Sequence, residues 1–140
     1  FVLIESVGKK CGFLERAGQE LGLRAEVING RAEDLARSPA YRERFDVCCA
    51  RAVARLNTLA EYCVPFVRPG GRFIAYKGEA AEEIAEAENA FRTLGVRLSA
   101  AEKRELPENA GSRTIVVAEK LHKTPAAYPR GKGKERSRPL

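Results

Sequence analysis

Three segments of this chain place polar residues where chemistry is possible, and each follows an apolar run. Glu5 closes the run Phe1-Val2-Leu3-Ile4. A carboxylate at the end of a buried strand can accept hydrogen bonds from both hydroxyls of a ribose. Beside Lys9 and Lys10 it can equally serve as an ordinary charge near a helix start. Gly30-Arg31-Ala32-Glu33-Asp34 follows a second apolar run. Gly30 permits a tight turn, and the acids then complement the dipole of a starting helix; alternatively Ala32 and Glu33 line a pocket for an adenine. Arg51 stands in Ala50-Arg51-Ala52-Val53-Ala54. An arginine among apolar neighbours needs a partner or a wet cleft, because desolvating it is costly.

Other reactive residues form no pattern. His122 is the single histidine and reads as an exposed residue, so a Ser-His-Asp arrangement is unsupported. The four cysteines, Cys11, Cys48, Cys49 and Cys63, lack the paired spacing of a zinc site, and no metal is expected. Cys48 and Cys49 are adjacent, so on a strand they face opposite ways. All four read as small hydrophobes in a reducing compartment.

Elements must position these residues. Val2 to Glu5 reads as a buried strand and Lys9 to Leu23 as a helix with Phe13, Leu14, Ala17 and Leu21 inward, stopped near Gly22. Glu26 to Asn29 is a strand, Ala32 to Arg37 a short helix, and Asp46 to Ala52 a third strand. Arg55 to Val67 is a helix, Pro69-Gly70-Gly71 a turn, and Arg72 to Lys77 a fourth strand. Glu79 to Leu94 is a long helix whose acidic side (Glu79, Glu82, Glu83, Glu86, Glu88) reads as solvated. Val96 to Leu106 and Arg113 to Leu121 have no helix between them and should pair as an antiparallel hairpin. Alternation of strand and helix implies an α/β fold, a parallel sheet with helices on both faces and the hairpin at one edge.

At 140 residues with 44% hydrophobic content the chain makes one domain or a large part of one. No apolar run approaches the roughly 18 residues of a membrane span, and no signal peptide is evident, so a cytoplasmic protein is expected. The net charge is +6, and residues 122–140 hold most of it: Lys123, Arg130, Lys132, Lys134, Arg136 and Arg138 against Glu135. The expected division is a domain over 1–121 and a basic tail over 122–140. The tail is either an arm for a polyanion or a solvated, disordered end. The chain opens on an apolar run and has no methionine, which suggests a fragment of a longer protein.

These motifs together resemble the small-subunit ribosomal RNA methyltransferase G family, also called the glucose-inhibited division protein B family. The resemblance rests on Leu3-Ile4-Glu5-Ser6, Lys9-Lys10 with Phe13-Leu14, Gly30-Arg31-Ala32-Glu33-Asp34-Leu35, Ala50-Arg51-Ala52-Val53-Ala54 and Lys77-Gly78. It continues with Thr124-Pro125, Tyr128-Pro129-Arg130 and Pro139-Leu140. It implies the class I S-adenosylmethionine-dependent methyltransferase fold, which is Rossmann-like and ends in an antiparallel hairpin. It also implies methylation of N7 of one guanine in 16S ribosomal RNA. Glu5, Ser6 and Val7 then match the ribose-side segment of the cofactor site, Ala32 and Glu33 the adenine side, and Arg51 a cofactor-contacting arginine. The family's first strand and glycine-rich loop are expected to be absent from this chain.

Guanine N7 carries a lone pair and no proton, so such a reaction needs alignment and no general base; no catalytic residue is assigned. Lys9, Lys10, Lys77 and the tail from Lys123 to Arg138, with Lys123 and Arg130 singled out in it, are the candidate RNA contacts, through phosphates, and Tyr128 could stack on a base. For Lys77 a strand-end lysine pointing into water is an equal reading. The expected partner is 16S ribosomal RNA or the small ribosomal subunit, bound by a monomer. The alternatives are a non-catalytic RNA-binding module with a vestigial nucleotide pocket, and a methyltransferase for a small molecule or a protein.

Overall fold

The computed structural model describes residues 1–51 and 53–140; Ala52, expected as the last residue of the third strand, lies outside the described residues. Among the described residues the six expected strands are present, with six helices where four were expected. They are β1 (Val2–Glu5), α1 (Gly8–Glu20), β2 (Glu26–Asn29), α2 (Ala32–Leu35), β3 (Phe45–Arg51), α3 (Leu56–Cys63), β4 (Val67–Lys77), α4 (Ala81–Glu86), α5 (Glu88–Leu94), β5 (Val96–Glu105), β6 (Ser112–Lys120) and α6 (Lys134–Ser137).

The strands form two hydrogen-bonded sheets rather than one. β1 and β2 pair in parallel, and a four-stranded sheet runs β3-β4-β6-β5. β3 and β4 are parallel. β6 lies antiparallel to β4 and also to β5, so the expected hairpin is present at the edge. The core lies between the larger sheet and the helices on it. Leu56, Leu59, Val64, Val67, Phe73, Ala75, Leu94, Val116 and Ala118 are all essentially inaccessible.

Four expectations about elements change. Helix α1 turns Phe13 and Leu21 to solvent and buries Cys11 and Gly18. Two overlapping apolar stripes share Leu14, and periodicity cannot choose between them; the stripe with the smaller residues is the one that lies on β1 and β2. The expected helix 55–67 is helical only to Cys63, then tightens into a 3-10 turn over Val64–Phe66 that contains Pro65. The long helix 79–94 breaks at Ala87 into α4 and α5. Strand β4 begins before the expected turn. Between Phe45↔Val67 and Val47↔Arg72 the register shifts, so Arg68 to Gly71 bulge out of the ladder. Gly71 is required there, because a Cβ would stand 2.5 Å from the Asp46 carbonyl oxygen.

Residues 122–140 pack along the body. Arg42 donates to the carbonyls of Tyr128 (2.8 Å) and Thr124 (2.9 Å), and Arg37 to that of Arg130 (2.7 Å). Thr124, Pro129 and Glu135 are buried. Lys120, 1% exposed, closes the base of this arrangement. Its ammonium donates to the carbonyls of Val64 (3.0 Å) and Val67 (3.1 Å) and to the Thr124 hydroxyl (2.7 Å), with Glu43 at 3.3 Å. Three neutral acceptors and one carboxylate offset the cost of burying that charge.

Candidate functional site

β1, β2, β3 and β4 belong to parallel pairs, and in open parallel sheets ligands bind beyond the carboxyl ends of the strands. Glu5 ends β1, Gly30 follows β2, Arg51 ends β3 and Lys77 ends β4, so the residues singled out by chemistry share these ends.

At the end of β1, Glu5 Oε1 accepts the Val7 amide at 2.9 Å, and Oε2 lies 3.8 Å from Lys10 Nζ. The Val7 amide, helped by Lys10, holds the Glu5 carboxyl below the usual carboxylate range. A carboxylate oxygen such as Oε2, with Lys10 as its neighbouring cation, can accept from hydroxyls. Two residues that sequence reasoning passes over brace it. Asn29, opposite Glu5 in the β1–β2 register, donates to the Glu5 carbonyl (3.1 Å) and to Cys11 Sγ (3.3 Å). Cys11 itself points at that carbonyl at 3.4 Å. An asparagine ending an apolar strand is the signal that could have found this brace.

After β2, Gly30 packs against Leu35, whose Cδ1 would lie 3.2 Å from an added Cβ. Glu33 is buried and its Oε1 accepts from Arg31 Nε at 2.6 Å. Ala32 packs against the core. Arg51 is exposed, in register with Tyr76, and makes no ion pair among the described residues; it escapes desolvation by facing solvent.

Lys77 and Arg130 are engaged by protein. Lys77 Nζ lies 2.7 Å from Glu83 and donates to the Ala54 carbonyl at 2.9 Å. Glu83 also accepts the Leu56 amide at 2.7 Å. It thus caps α3, whose own preceding residue Arg55 supplies no cap. Arg55 in turn makes a two-pronged pair with Glu86, at 2.9 and 2.8 Å. The side of α4 expected to be solvated therefore fixes the loop that follows Arg51. Arg130 makes a two-pronged pair with Glu61, which is fully buried. Lys9 and Lys123 are exposed. Tyr128 is half-buried, with the Arg130 guanidinium 5.9 Å from its ring centre. His122 lines a shallow groove between α5 and β5, where its carbonyl meets Gly95, and takes no part in this site. Cys48 packs on the core while Cys49 is exposed, so the adjacent thiols do face opposite ways.

Comparison with known proteins adds the family. Residues 1–112 match the family model described as rRNA small subunit methyltransferase G. The chain belongs to this family. Ribosomal RNA small subunit methyltransferase G of Brevibacillus brevis is 46% identical over 140 residues, and that of Symbiobacterium thermophilum 48% over 145, each aligned with 99% of this chain. The chain spans 59% of the length of these curated relatives. Among solved structures it resembles an rRNA methylase from Streptococcus thermophilus (TM-score 0.62, 17% identity, 86% of this chain and 73% of that one). It also resembles the antibiotic-resistance methyltransferase Kmr (TM-score 0.66, 15% identity, 88% and 76%). The fold of this methyltransferase G family member is that of class I methyltransferases.

Proposed function

We propose that the protein containing this chain transfers a methyl group from S-adenosylmethionine to N7 of a specific guanine in 16S ribosomal RNA. The observation that carries the reading is the family membership joined to one arrangement: Glu5, Gly30 to Glu33 and Arg51 all stand at the carboxyl ends of parallel strands.

The residues present fit the adenosine part of the cofactor. Glu5 presents its carboxylate for the ribose hydroxyls, with Ser6 and Val7 beside it. Ala32 and Glu33, at the start of α2, are assigned to the base side, and Arg51, exposed at the end of β3, meets the ligand from there. When bound, the cofactor supplies a methyl already activated by a positively charged sulfur. The protein's own work is then to bind, orient and exclude competing nucleophiles. The Glu83 cap on α3 and the Lys77–Ala54 hydrogen bond support this by holding the loop after Arg51. We take the acceptor to be 16S ribosomal RNA or the small subunit, bound by a monomer in the cytoplasm. Lys9 and Lys10, on the first turn of α1 beside Glu5, are offered as RNA contacts on this reading.

The test is methyl transfer by the intact protein from labelled cofactor to small-subunit RNA, with the modified base mapped by chemical cleavage at N7-methylguanine. Transfer is expected, with Glu5→Ala or Arg51→Ala raising the cofactor Kd about tenfold or more. RNA binding without transfer would replace this reading with a non-catalytic module. Transfer to a position other than guanine N7 would retain the class of reaction and remove the atom.

A further inference from the structure

The path of residues 121–138 decides which of their cations can reach a ligand at the site. β6 is antiparallel to β4, with Thr114 opposite Lys77 and Glu119 opposite Arg72. The chain therefore leaves β6 at the end of the sheet farthest from Lys77. Lys120 is fastened there, at the Val64 and Val67 carbonyls, and Lys123 follows it at that far end.

The chain then climbs back along α3. Arg130 meets Glu61 at 2.7 Å, the Thr58 hydroxyl donates to the Glu135 carbonyl at 2.9 Å, and Arg136 reaches the Val53 carbonyl at 3.4 Å. Contacts at residues 61, 58 and 53 in that order ascend α3 from its end to the loop that follows β3. The eight residues of α3 make this a climb of about 12 Å. It ends two residues beyond Arg51, with the Arg136 guanidinium also beside the Tyr62 hydroxyl.

Charge pairing then sorts the cations. Near the site, Lys77 is matched by Glu83, Arg31 by Glu33, Arg55 by Glu86 and Arg130 by Glu61. Lys132, Lys134, Arg136 and Arg138 are exposed and enter no ion pair among the described residues. The one acid between them, Glu135, is turned inward, where it accepts the Gly131 amide. The result is four unmatched positive charges on one short stretch, with Arg136 placed at the β3 end of the site.

We propose that Lys132, Lys134, Arg136 and Arg138 are the surface that grips the phosphate backbone of the RNA acceptor, with Arg130 serving the fold and Lys123 lying outside this surface. The proposal rests on the methyltransferase reading above. Lys134 opens the short helix α6 and Arg138 closes it, its amide donating to the Lys134 carbonyl at 2.9 Å. Unpaired, solvated cations are those whose approach to phosphates releases counterions, which makes the affinity fall steeply with salt.

Binding of a 16S ribosomal RNA fragment to the intact protein, measured over a series of salt concentrations, tests this. The substitution of all four residues by glutamine should raise the RNA Kd about tenfold or more at physiological salt. It should reduce the slope of log affinity against log salt by about 1 for each phosphate that is no longer neutralised. The half-variants Lys132→Gln/Lys134→Gln and Arg136→Gln/Arg138→Gln should each take part of that slope. Lys123→Gln should change neither quantity, and cofactor affinity should stay within about twofold in Lys132→Gln/Lys134→Gln, which leaves the Arg136 contact in place. The inference is overturned if the fourfold variant keeps wild-type affinity and slope, or if Lys123→Gln weakens binding as much. Absence of methyl transfer by the wild-type protein is the separate failure of the underlying reading. Wild-type transfer with an unchanged RNA KM in the fourfold variant defeats this inference alone.

Discussion

In the larger sheet β4 has a strand on either side, and its Phe73 and Ala75 are fully buried. In the smaller sheet β1 has β2 alone, and none of its four residues is buried. Helix α1 contributes Cys11 and Gly18 as its buried residues, whereas all eight residues of α3 are buried. The two regions carry different parts of the proposed site. Glu5, Ser6 and Val7 sit on the lightly packed unit, while Arg51 and its supporting loop sit on the densely packed one. Sparse apolar burial means a low free energy of local opening, so on the proposed reading the segment Glu5 to Val7 is the part that a ligand has most to order.

Native-state amide exchange can break that comparison outright. Amides of β1 and β2 should exchange about a thousandfold faster than those of β4 and β6, and equal protection would refute the contrast. The next largest effect falls on the dense region. Glu61→Ala leaves Arg130 without its carboxylate and should lower unfolding stability by about 3 kcal/mol or more in denaturant titration. A drop under about 1 kcal/mol would mean that residues 122–140 are not held as described.

Lys120 sharpens the comparison through pH. Burial pulls its ammonium down from 10.5 to about 8, with Glu43 partly opposing. Between those values the unfolded chain holds the proton more firmly than the folded one, so stability should rise as pH increases from about 8 to 10.5, by no more than about 3 kcal/mol. The Cys63 thiol, raised by its contact with Cys48 and by burial, acts in the opposite sense above pH 9. The readout is therefore the difference between wild type and Lys120→Met, which should lack the rise. Glu83→Ala removes both the α3 cap and the Lys77 partner, at a cost of about 1–3 kcal/mol in thermal or denaturant unfolding. It should also weaken cofactor binding through the loop after Arg51, which a purely local cap would leave alone. The smallest effect is expected at Phe13→Ser, within about 0.5 kcal/mol of wild type, because that ring is 62% exposed. A large destabilisation there would restore the inward face expected from periodicity.

Short-range signals were readable before folding. The bounds of β1 and β2 coincide with expectation because a charge or Gly30 ends each apolar run, and Glu5, Gly30 and Arg51 stand out by type and place. The pairings that fix the site were not readable. Glu83 caps an amide 27 residues upstream, and Arg130 meets a carboxylate 69 residues away. On a helical wheel Glu83 is one acid among several; nothing local separates it from Glu88. The basic segment misled in a similar way. Its charge suggests solvent or a polyanion throughout, yet Thr124, Pro129 and Glu135 are buried, since packing is decided by the surface the segment meets and not by its net charge.

The bulge at Arg68 to Gly71 works as a detent on the neighbouring strand. Sliding β3 by one residue along β4 would send every β3 side chain through to the opposite side of the sheet, Arg51 among them. The close approach of Gly71 to the Asp46 carbonyl allows one seating only. The aim of an arginine is thus indexed by a glycine about twenty residues later. A designer who wished to redirect Arg51 would change the count of residues in that bulge before touching the arginine itself.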